Sequence, residues 1–73
     1  MSQTTYQITS KAGQDMGQYE GRTPAEALVA MHLDAGYRGR MSLSDDLTRI
    51  IFADAETERL CGSLEDYEIR EAD

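Results

Sequence analysis

Gly21-Arg22-Thr23-Pro24-Ala25-Glu26-Ala27-Leu28 decides the fold, because it stops one kind of structure and starts another within a few residues. Thr23 has a hydroxyl that can accept from the orphan N–H groups of a first helical turn. Pro24 suits the first helical position, where its missing N–H would have no partner, and Glu26 can reach back to complete a capping box. Downstream, Ala27, Leu28, Met31 and Ala35 recur at three-to-four spacing, with Val29 and Leu33 widening the stripe, as a helix laid on a sheet requires. Gly36 suits the left-handed residue after the last turn and Tyr37 can pack back on it, so the helix is expected over 24–35.

Upstream, Thr5-Tyr6-Gln7-Ile8-Thr9 alternates apolar and polar side chains and is rich in β-branched and aromatic residues, the pattern of a half-buried strand. Lys11 to Asp15 supplies a turn containing Gly13, and Met16 to Glu20 returns antiparallel. The interval is too long for a two-residue turn, so Gly17 is expected to mark a bulge, and Gly21 ends the hairpin.

Beyond Arg40 two readings of 45–61 stand. Arg49-Ile50-Ile51-Phe52-Ala53 puts three bulky apolar residues in a row, which favours a turn at 44–46, a strand at 48–53, a polar reversal through Asp54 to Thr57, and a return strand around 58–61. The competing reading is one continuous helix from Asp45 to Cys61. Gly62-Ser63 breaks either element, and Tyr67 and Ile69 alternate with Glu68 and Arg70 in a short last strand. The favoured sum is one α+β domain over 1–73. Its order is β-β-α-β-β with that short last strand, and a single helix covers one face of a small, mostly antiparallel sheet.

Seventy-three residues fall in the size range where one core leaves a net stability of about 3 to 5 kcal/mol. The one cysteine, Cys61, cannot form a disulfide within the chain, which favours a reducing compartment. No basic-then-apolar leader and no long uncharged apolar run is present, so a soluble cytoplasmic protein without a membrane partner is expected. Residues 1–40 balance four acids with four bases, whereas residues 41–73 carry ten acids against Arg49, Arg59 and Arg70; the net charge of −7 therefore lies in the C-terminal part. That surface repels phosphate backbones, which disfavours direct nucleic-acid binding and points to a protein partner, basic or itself nucleic-acid-binding.

Chemistry-bearing residues are sparse. His32 is the only histidine, and a Cys61–His32 nucleophile pair competes with the plainer reading of a packed thiol and a packed ring. Two such residues are too few ligands for zinc. Asp54, Glu56 and Glu58 would share a face if extended, but the calcium-loop pattern with its central glycine is missing. Gly13, Gly17 and Gly21 lack the Gly-Lys-Ser/Thr of a phosphate loop and read as turn and bulge residues. No catalytic residue, metal site or cofactor is expected. The residues singled out for partner binding are Asp54, Glu56, Glu58, Glu65, Asp66 and Glu68.

Tyr6 to Gly13, Tyr19 to Leu28 and Asp34-Ala35-Gly36-Tyr37 together resemble short hypothetical proteins of bacteria and their phages. The resemblance covers about the first half and implies hairpin, cap and helix. That group has no assigned activity, so no functional residue is carried over. Three functions follow as expectations. The first is a non-enzymatic protein-interaction module using the acidic C-terminal face or a sheet edge. The second is a phage-type inhibitor whose carboxylates mimic nucleic-acid phosphates on a bacterial defence or regulatory protein. The third is an enzyme or ligand-binding protein with its site at a dimer interface. Strands 16–20 and 66–70 are the edges through which a homodimer could form.

Overall fold

The computed structural model describes residues 3–72. Strands β1 (Thr4–Ser10) and β2 (Asp15–Gly21) pair antiparallel, with Tyr6 opposite Tyr19 and Thr4 opposite Gly21. The register slips after Ile8, which faces Gly17 while Thr9 faces Asp15, so Met16 is the extra residue of a bulge. Gly17 sits at φ 102°, left-handed backbone that a side chain would strain. The Asp15 carboxylate fixes this corner, accepting from the Gly17 N–H at 2.8 Å and from Gln7 Nε2 at 2.5 Å.

Helix α1 (Pro24–Asp34) begins as its sequence dictates, with the Thr23 hydroxyl accepting from the Glu26 N–H at 3.2 Å. The reciprocal half of the expected capping box lies one residue earlier. Glu26 accepts from the Arg22 N–H at 2.6 Å and from its guanidinium at 3.1 Å, because Arg22 adds a charge to the bond that Thr23 cannot offer. At the other end Tyr37 N–H donates to the His32 carbonyl at 3.1 Å and Gly36 N–H to that of Leu33 at 3.0 Å, with Gly36 at φ 104°. These paired bonds are a Schellman closure. Ala35 is the exposed C-cap and does not belong to the buried stripe.

Two stripes of α1 are buried. Ala27, Leu28 and Met31 meet Tyr6 and Ile8 in the core cluster, which Met16, Tyr19, Ile50, Leu64, Tyr67 and Ile69 surround. Burying a side chain the size of Ile8 or Leu28 stabilises by about 1.5–3 kcal/mol, and both are fully enclosed. Ala25, Val29 and His32 form the second stripe, and His32 meets the second half of the chain.

The second half corrects the sequence reading. Strand β4 is short (Ile50–Phe52) and pairs antiparallel with β3 (Met41–Leu43), a strand not expected there. The reversal at 54–57 and return strand at 58–61 are instead helix α2 (Ala55–Cys61), and the continuous helix from Asp45 is equally absent. The cause is Asp54, whose carboxylate accepts from the Thr57 N–H at 2.7 Å as a helix N-cap, while Thr57 and Cys61 bury one side four residues apart. A 3-10 turn at Leu64–Asp66 leads into β5 (Tyr67–Glu71). β5 pairs antiparallel with β1, Ile8 opposite Ile69, giving a three-stranded sheet in the order β2-β1-β5 beside the separate β3-β4 hairpin. The class is α+β, with two helices and two small sheets.

Candidate functional site

The six carboxylates singled out in the sequence are exposed but belong to different elements. Asp54 caps α2 and meets the Arg40 guanidinium at 3.3 Å. Glu56 and Glu58 sit two positions apart on that helix, about 200° around its axis, so they occupy opposite flanks and not one extended face. Asp66 accepts from the Ser63 N–H at 2.9 Å, Glu65 stands on the same 3-10 turn, and Glu68 lies on β5, 3.4 Å from Arg70. Local backbone bonding thus engages Asp54 and Asp66.

His32 and Cys61 lie inside. His32 is 2% exposed and its Nε2–H donates to the Gly62 carbonyl at 3.1 Å, which fixes the tautomer, and burial pushes its pKa down. Its ring stands edge-on to Tyr37 and Tyr67. Tyr67 donates to the Cys61 carbonyl at 2.7 Å, and burial pushes the Cys61 thiol up, opposite to what activates a nucleophile. The two residues thus tie α1, α2 and β5 together through backbone carbonyls. Among the described residues no group of three or more His, Cys, Asp or Glu could hold a metal ion, and no helix is long and apolar enough to cross a membrane.

A cleft of about 340 Å³ separates the loop after α1 from α2, lined by Tyr37, Arg38, Arg40, Glu56 and Leu60 among others. Leu60 in its lining is 61% exposed, and Arg40 reaches from the loop to Asp54 and to Thr57 Oγ1, each at 3.3 Å. Sequence reasoning missed this cleft because it read α2 as a strand. The signal lay in Asp54 followed three residues later by Thr57.

The backbone itself offers the other candidate. In the order β2-β1-β5 neither outer strand has a further strand paired to its lateral edge among the described residues. Their phase follows from Ala72 N–H donating to the Thr5 carbonyl at 2.8 Å. Alternation along an antiparallel pair then turns the backbone groups of Glu68 and Arg70 toward β1 and those of Ile69 and Glu71 outward. The same alternation turns Gln18 and Glu20 of β2 outward. Thr5, Gln7, Thr9, Gln18, Glu20, Glu68 and Arg70 make the sheet face opposite α1 polar.

No family model, curated protein or solved structure matches the chain.

Proposed function

We propose that this chain is a non-enzymatic protein-interaction module that engages another polypeptide by strand addition at a free edge of the β2-β1-β5 sheet. The observation that carries the reading is the strand order. It leaves Gln18 and Glu20 on one side and Ile69 and Glu71 on the other with outward backbone groups, and extended peptides add to such edges through main-chain hydrogen bonds. The buried His32 and Cys61 support the non-enzymatic part of the reading, since both are engaged in packing. The phosphate-mimic reading gains no support from carboxylates divided between two helix flanks, a cap, a 3-10 turn and a strand.

Selection of strand-forming peptides from a displayed library, followed by amide-shift mapping, tests the proposal. Binders are expected to move the amides of Gln18 and Glu20 or of Ile69 and Glu71, and to tolerate joint charge reversal of the exposed Glu58 and Glu65. Binders that shift only the cleft beside Leu60, or a library that yields none, would overturn it.

A further inference from the structure

Resting on that reading, we propose that the occupant of the β5 edge is a second copy of this chain. β5 would pair antiparallel with β5 across a two-fold axis, joining two sheets into β2-β1-β5-β5-β1-β2.

The strand reads Tyr67-Glu68-Ile69-Arg70-Glu71, and an antiparallel pairing centred on Ile69 is self-complementary. Ile69 stands opposite the partner's Ile69, Glu68 opposite the partner's Arg70, and Arg70 opposite the partner's Glu68. Opposite charges facing each other across strands are favourable, and the two-fold axis makes the Glu68–Arg70 pair occur twice in one closed contact. The phase of the ladder fits the same centre. Ile69 has its N–H and carbonyl turned outward, so the central pair exchanges both backbone bonds, and the outward Glu71 N–H reaches the carbonyl of the partner's Tyr67. Tyr67 keeps its own N–H on the Leu64 carbonyl, so the pairing asks nothing of a donor already engaged.

Within one chain the Arg70–Glu68 contact is long, 3.4 Å, between side chains 78% and 53% exposed, so both are free to change partners. Ile69 is half-buried against the core, and the pairing covers more of it. The β2 edge suits this role poorly. It carries the Gly17 bulge, a device that blunts edges, and a two-fold centred on Glu20 would set that carboxylate against itself.

Sedimentation equilibrium on the intact chain at fixed moderate salt tests the proposal. The parent is expected to show a concentration-dependent monomer–dimer equilibrium. Arg70→Glu turns both cross-strand pairs repulsive and should raise the dissociation constant at least about tenfold. The swap Glu68→Arg with Arg70→Glu restores the pairing in reverse and should return it to within about threefold. Glu71→Pro removes an outward N–H without touching the β1 ladder; it should weaken the dimer while circular dichroism and Tm stay near the parent's. A parent monomeric up to about 1 mM, or a dimer indifferent to all three variants, overturns the inference. Should the monomeric chain still select strand peptides at its edges, the inference falls and the interaction-module reading stands; binding at neither edge removes both.

Discussion

The Thr23 hydroxyl donates to the carbonyl of Leu47 while accepting from the Glu26 N–H, so one side chain both caps α1 and pins the turn between β3 and β4 to the helix start. Leu47 holds a positive φ of 62°, an uncommon conformation for a residue with a branched side chain, and the Thr23 bond helps to hold it there.

Thr23→Val keeps the shape and removes both bonds. The loss of a threonine cap costs about 0.5–2 kcal/mol, and a partly buried carbonyl left without its donor adds to it. Thr23→Ser, which keeps the hydroxyl, should recover most of the difference. Urea unfolding of the three proteins checks this, with equal midpoints for parent and Thr23→Val as the contrary result.

Gly21 makes a different demand from the other glycines of the hairpin. Its backbone is not left-handed, yet a Cβ there would lie 2.7 Å from the Ala27 nitrogen and 3.0 Å from Glu26 Cβ, so β2 and α1 approach too closely for any side chain. Gly21→Ala should therefore cost about 1–3 kcal/mol through displacement of the helix. Gly13→Ala, with nothing within 4 Å, strains only a φ of 91° and should cost less. Thermal unfolding of both variants ranks them; the reverse order would refute the packing argument.

These cases mark what could be read from the chain. The hairpin, the Gly17 bulge, the helix start and its Schellman end are written in adjacent residues, so period and turn chemistry reveal them. The β3-β4 pair is too short for a period, since Met41-Ser42-Leu43 offers only three positions. Asp54-Ala55-Glu56-Thr57 supports a polar reversal as well as a helix cap, and only the burial of Thr57 and Cys61 against the rest of the chain decides between them. The strand order was not legible because β1 alternates identically toward both neighbours, and the pairing of Ile8 with Ile69 joins opposite ends of the chain. The carboxylates were legible as a charge imbalance; the placing of Asp54, Glu56 and Glu58 on a cap and two flanks follows from α2, and Glu65, Asp66 and Glu68 fall on the 3-10 turn and β5.

His32 sets one pH dependence. Burial lowers its folded-state pKa below the ordinary 6.5, so the unfolded chain takes up a proton before the folded chain does. The contribution is fully present above about 6.5 and is lost as the pH falls from there toward the folded value. Chemical-denaturant midpoints between pH 8 and 5 should decline for the parent, and His32→Gln should flatten that slope although it lowers the absolute stability. A histidine resonance titrating at or above 6.5 in the folded protein would contradict this.

Asp46 governs the acid end. Its carboxylate accepts from Ser44 Oγ and Thr48 Oγ1, each at 2.7 Å, and from the Thr48 N–H at 3.1 Å, which holds its pKa at about 2 against an ordinary 3.8. A depressed carboxyl pKa gives stability that is complete above the unfolded value and is lost as the pH falls through the folded one, so the window runs from about 4 down to about 2. Asp46→Asn keeps an acceptor oxygen but removes the charge, and should flatten the decline in that window. Asp54 and Glu26, also lowered by their hydrogen bonds, leave a residual slope. Urea midpoints measured from pH 5 to pH 2 distinguish the two proteins; parallel curves would show that the Ser44–Thr48 turn does not hold the charged form in solution.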